Sequence, residues 1–179
     1  MKKLIIAAAM VCAAAFAQAA TVNWTVLNVK ANGGGAPTTG WAVMAFYTEV
    51  GAGFTAIENA IGAGTAASLA FETTTLVNQL GTGKVAAHDA TAAAITDTSK
   101  NYDFYFVVFD NSDATKAAQY VVVSALDKAY SGMDTKYKVS GNFSSATWTD
   151  VPAPVIPEPT TGLLVLLGVA GLALRRRRA

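Results

Sequence analysis

All four arginines of this chain occupy positions 175–178, directly behind an uncharged run from Gly162 to Leu174 and just before the final Ala179. A globular fold has little use for such an end. Packed as a core helix, the run would draw four guanidinium groups against the domain, and charges are costly to desolvate without partners. The run has 13 residues, about 20 Å as a helix. That is short of the roughly 30 Å hydrocarbon layer, so by length alone a core helix or an interfacial segment fits as well. Position favours the membrane, because a spanning segment leaves Arg175, Arg176, Arg177 and Arg178 in the cytoplasm, as the positive-inside bias requires. Six Leu and two Val supply about −2 to −5 kcal/mol toward insertion. Local thinning and snorkelling arginine stems absorb the short length. The expectation is a transmembrane helix over 162–174 with a basic cytoplasmic tail at 175–179, an anchor suited to temporary residence.

Upstream, Pro152, Pro154, Pro157 and Pro159 fall within eight residues. Such a segment favours extended polyproline II and acts as a stiff spacer of about 3.1 Å per residue, so 151–161 reads as a linker. The ordered set Pro157-Glu158-Pro159, apolar run and arginine block resembles the PEP-CTERM sorting domain of Gram-negative bacteria. The likeness covers about 23 residues, with Ile156 where the family often has Val. The resemblance implies processing by an exosortase, a membrane-embedded cysteine protease-transpeptidase. It also implies association with exopolysaccharide and the cell exterior. Pro157, Glu158 and Pro159 are then the recognition residues, acted on rather than acting.

The other end agrees. Lys2-Lys3 precede an apolar run from Leu4 to Phe16, and Ala17-Gln18-Ala19 gives a small-x-small cleavage site. This is the pattern of a Sec-type signal peptide over 1–19, cut by signal peptidase after Ala19. The well-placed Ala17 and Ala19 argue against a permanent N-terminal anchor. Cys12 follows Ala9-Met10-Val11, a poor lipobox, and as the only cysteine it leaves with the signal. The exported domain then has no disulfide and no thiol nucleophile, and must be held by its core.

Between the signals, residues 20–155 carry seven Lys against eleven Asp or Glu, a balance of −4, and no Arg. That composition disfavours nucleic acid, which is gripped by Lys and Arg on phosphate and by Arg on guanine. Thr21–Lys30 alternates Val22, Trp24 and Val26 with polar residues, the pattern of a strand with one buried face. Ala31–Gly40 is a loop built on Gly33-Gly34-Gly35 and Pro37. Trp41–Tyr47 is apolar on both faces and belongs inside a covered sheet. Phe54, Ile57 and Ile61 have helical spacing, with Gly62-Ala63-Gly64 as the stop. Leu69–Leu80 is ambiguous, though Thr73-Thr74-Thr75 favours extended chain. Gly81-Thr82-Gly83 reads as a turn, and Ala86–Ile95 suits helix or loop. Tyr102–Phe109 and Gln119–Ala125, joined by polar Asp110–Ala118, predict a hairpin. Phe143–Thr149 is expected to be a final, polar edge strand. The fold class is mainly β: a β-sandwich or jelly-roll-like domain over 20–150 with short helices.

Sites are sparse. His88-Asp89 pairs the only histidine with an acid, but a histidine in an Ala-rich stretch is more often a surface residue than a catalyst. Asp110-Asn111-Ser112-Asp113 clusters oxygen ligands suited to calcium, yet an Asx-rich turn explains them better. Trp24, Trp41 and Trp148 offer aromatic faces for sugars, although core packing is the better account, with Trp148 the best candidate for exposure. No catalytic residue, metal site or cofactor is expected. The sequence therefore points to a non-enzymatic exported protein, structural or adhesive, with the Sec translocon, signal peptidase and the membrane as partners, to which the resemblance adds exosortase and exopolysaccharide. A carbohydrate-binding module is the alternative, and a secreted hydrolase with a carboxylate pair the second.

Overall fold

A computed structural model describes residues 19–152. The expected sorting motif, apolar helix and basic tail lie outside them, as does the signal peptide through residue 18. Nine strands and one short helix follow in chain order: β1 Ala20–Val29, β2 Ala42–Glu49, α1 Thr55–Gly62, β3 Glu72–Thr75, β4 Val77–Gln79, β5 Thr82–Ala92, β6 Tyr102–Phe109, β7 Gln119–Lys128, β8 Tyr137–Asn142 and β9 Trp148–Asp150. They form a four-stranded sheet, β4-β5-β1-β8, and a five-stranded sheet, β3-β2-β6-β7-β9. Among the described residues no helix is long and apolar enough to cross a membrane.

The alternation in β1 decides its face. Val22, Trp24, Val26 and Val29 point inward and are buried, while Thr21, Asn23 and Thr25 are only half-covered. Their inner face meets Val43, Ala45, Phe104, Phe106, Val108 and Val121 of the five-stranded sheet. The two sheets thus pack as a β-sandwich. At its centre Trp24 lies parallel to Phe106, ring centroids 5.7 Å apart, an offset arrangement that aromatic quadrupoles favour. Gly141 of β8 makes room for that ring: a Cβ there would come within 2.7 Å of Phe106 Cδ2. Tyr137 is buried beside Phe104 and donates its hydroxyl to the Lys100 carbonyl at 2.8 Å. Burial, then the nearby Tyr102, pushes its pKa up to about 12.

Sheet β3-β2-β6-β7-β9 has a second covered face. Met44 and Phe46 of β2, Tyr105, Val107 and Phe109 of β6 and Tyr120 of β7 pack against Ile57, Ala60 and Ile61 of α1. This third layer explains why β6 is buried at all eight positions and why β2 is apolar on both sides. The helix stops where the glycines suggested, with Gly64 at φ +70 donating its N–H to the Ile61 carbonyl at 3.0 Å.

Several expectations hold. β1, β2, α1 and the β6–β7 hairpin lie where the patterns put them. Of the residues Ala86–Ile95, legible as helix or loop, Ala86 to Ala92 instead form the second half of β5, which pairs antiparallel with β1 from Ala20↔Ala92 to Val29↔Gly83; only the last three are outside the strand. The turn before it is tighter than expected: Leu80 and Gly81 both have positive φ and close a two-residue hairpin, so Thr82 and Gly83 are already strand. The expected strand Phe143–Thr149 is corrected. Tyr137–Asn142 forms β8, whose pairing with β1 is parallel, and only Trp148–Asp150 of the later stretch is strand. Between them the Asn142 side chain accepts from the Ser144 N–H at 3.1 Å and turns the chain. β9 is nonetheless an edge. The parallel β1–β8 pair departs from the all-antiparallel jelly roll.

Candidate functional site

Of the residues expected to be processed, Ala19 is described; Ala17, Pro157, Glu158, Pro159 and Arg175–Arg178 lie outside the described residues. Ala19 directly precedes the first paired residue. Ala20 is 2% exposed, sits opposite Ala92 and donates its N–H to the Ile95 carbonyl at 2.9 Å. The expected cleavage bond, Ala19–Ala20, thus lies at the start of β1. At the other end, Val151 donates its N–H to the Ala118 carbonyl at 2.9 Å. Pro152 lies over Gly62 of α1. The first two residues of the expected linker are therefore docked on the domain. Pro157 is five residues on, at most about 18 Å of fully extended chain.

His88 and Asp89 are neighbours in β5, so their side chains leave on opposite faces of the sheet. The His88 ring lies 4.8 Å from buried Trp24, with Nδ1 3.0 Å from the Ala86 carbonyl. Asp89 is on the outer face, accepting from Lys136 Nζ at 2.8 Å and Asn23 Nδ2 at 2.6 Å. Lys136 first, and Asn23 next, hold its carboxyl below the usual range. The pair does not form a proton-transfer dyad.

Side-chain oxygens of Asp110, Asn111 and Asp113 serve the turn itself. Asp110 Oδ1 accepts from the Ala118 N–H at 2.9 Å, and Asn111 Oδ1 from the Asp113 N–H at 3.0 Å. Asp113 caps the 3-10 turn Ala114–Lys116 through the Thr115 N–H at 3.0 Å and meets Lys116 Nζ at 2.8 Å. The Lys116 contact, then Thr115, lowers its pKa to about 2. Among the described residues no three His, Cys, Asp or Glu side chains gather as a metal-holding group.

The tryptophans separate into two environments. Trp24 is in the core. Trp41 and Trp148 are half-buried and meet edge to face at one end of the sandwich, 5.4 Å between centroids. Trp148 Nε1 donates to the Lys30 carbonyl at 2.9 Å, which fixes its indole beside the loop after β1.

Sequence reasoning missed Asp103, the one buried charged residue among those described. Its Oδ1 accepts from the Asp127 N–H at 2.8 Å and its Oδ2 from the Gly51 N–H at 3.1 Å. Asp127 stands at φ +52, where β7 carries an extra residue relative to β6, a β-bulge. One carboxylate thus ties the β2–α1 turn to that bulge. The only signal was a single acid inside the run Tyr-Asp-Phe-Tyr-Phe-Val-Val-Phe.

No curated protein and no solved structure matches the chain. A family model described as the PEP-CTERM protein-sorting motif matches residues 155–178. That motif implies a membrane-anchored precursor, processing by an exosortase and export to the cell surface. The chain is thus a PEP-CTERM sorting domain-containing protein.

Proposed function

We infer that the β-domain is the cargo of this sorting route and acts, without catalysis, as a structural or adhesive component outside the cell, associated with exopolysaccharide. Export begins through the Sec translocon, and signal peptidase cuts after Ala19. The segment 162–174 holds the precursor in the inner membrane until exosortase acts near Pro157-Glu158-Pro159. The observation that carries this reading is the family match at 155–178. Two features of the cargo support it. Its core draws on three layers and no cysteine beyond Cys12, so an oxidising exterior has no thiol to act on. Its acidic balance favours solubility. Replacing Pro157, Glu158 and Pro159 together with Ala is expected to leave a full-length precursor in the membrane fraction. Normal maturation of that variant refutes the route.

A carbohydrate-binding role is the second reading, favoured by the fixed, half-buried indole of Trp148.

A further inference from the structure

A cleft of about 270 Å³ opens at the end of the sandwich where Trp148 sits. Buried Val29, Val121 and Phe143 contribute to its lining, and exposed Asn32, Ser144 and Thr147 supply polar groups. We propose that this cleft binds one ring of a neutral polysaccharide, with the ring's C–H face against the indole of Trp148.

Three observations carry the proposal. The first is size. Pockets for drug-sized ligands run from about 300 to 1,000 Å³, so this one, just below that range, has room for a small ligand the size of a single sugar ring. The second is the fixed aromatic group. With Nε1 held by the Lys30 carbonyl and the ring against Trp41, little side-chain freedom remains to be lost on binding. A pyranose offers an apolar C–H face and a rim of hydroxyls, and this cleft sets the Trp148 indole among side-chain amide and hydroxyl groups. The third is a relay of amides. Asn32 Nδ2 donates to Gln119 Oε1 at 2.9 Å, and Gln119 Nε2 donates to Asp150 Oδ1 at 2.8 Å. This sets the Asn32 amide with its oxygen as the acceptor for a ligand hydroxyl. Beside it, Gly33 and Gly34 have positive φ, and a Cβ on either would meet nothing within 4 Å; the lip is open to a polymer running past.

Charge selects neutral over acidic sugars. Among the described residues Lys30 is the only charged one lining the cleft, and it is exposed. A lone exposed cation contributes little, and the domain has no arginine to clamp a carboxylate.

This inference rests on the reading of the protein as extracellular and polysaccharide-associated, and one experiment separates the two. Mature protein from the culture medium is titrated with hexasaccharides of glucan, mannan and galactan, following tryptophan fluorescence. Binding of at least one is expected, weakened about tenfold by Trp148→Ala, the loss of one stacked aromatic contact. Trp148→Phe keeps a ring and retains part of the affinity, and its thermal melt shows that the fold survives. Asn32→Ala weakens binding with an unchanged melt, while Asn23→Ala, on the outer face of β1, changes nothing. Absence of binding across the panel overturns the proposal. So does binding indifferent to both Trp148 and Asn32, or preference for uronic-acid polymers that salt abolishes. Cofractionation of wild type and Trp148→Ala with the host's extracellular polymer to the same extent removes the cleft but keeps the broader reading. A protein that never reaches the medium or the cell surface removes the broader reading itself.

Discussion

The stretch 155–178 and the domain that precedes it encode their roles differently. In the stretch, the order of chemical classes carries the information: rigid prolines around one acid, then an apolar run, then a block of arginines. The family match there rests on sequence order alone. In the domain, meaning lies in contacts between distant residues. Phe106 is a core residue because Trp24 stacks on it and Gly141 clears space for it. The comparison leads to an expectation that address and cargo are separable: damage to one should leave the other readable.

The largest test of that separation is the triple alanine replacement at Pro157-Glu158-Pro159. It is expected to abolish maturation completely while leaving the melting temperature of the domain unchanged, measured on detergent-solubilised precursor. A shifted melt breaks the comparison. Phe106→Ala works from the other side. Emptying the centre of the sandwich costs about 3–5 kcal/mol, read by urea unfolding, while the molecules that fold are still processed at the same place. Asp103→Ala is next. It leaves two backbone N–H groups, of Gly51 and Asp127, without their acceptor, at about 1–3 kcal/mol, and hydrogen exchange is expected to quicken at both turns.

Two smaller tests use pH. Tyr137 titrates near 12 when folded against 10.0 ordinarily, so the fold favours its neutral form. Its contribution is whole below pH 10 and is lost as pH rises toward 12, and Tyr137→Phe flattens that alkaline limb. Asp113 has the opposite sign. Its folded pKa of about 2 lies below the ordinary 3.8, so its contribution is present above pH 4 and is lost as pH falls toward 2. The group is on the surface, so the effect is local and weakened by salt. Amide exchange at Thr115 reports it.

Legibility followed the same divide. The sorting motif was readable from order alone. Strands β1, β2, β6 and β7 were readable because their apolar content is dense and their period clear. β5 was obscured because Ala, Thr and Gly fill much of it, and small residues carry little periodic signal. Its extra residue opposite β1 also breaks the alternation near Ala86. β8 does alternate, with Tyr137, Val139 and Gly141 inward and Lys138, Ser140 and Asn142 outward. One of its inward positions is glycine, which contributes nothing to an apolar count and is explained only by the Phe106 ring. Asp103 was invisible for the same reason: its role depends on a bulge in another strand. Of the candidate cleft, Trp148 was singled out as the best candidate for exposure and is half-buried, while Asn32 and its partner Gln119, 87 positions apart, meet only through the fold.

The account turns on the terminal address being removed once it has been read. Intact-mass spectrometry of the protein recovered from outside the cell tests this directly. The predicted result is a chain beginning at Ala20 and ending upstream of Gly162, without the apolar run or the four arginines. Extracellular protein that retains Arg175–Arg178 contradicts the account.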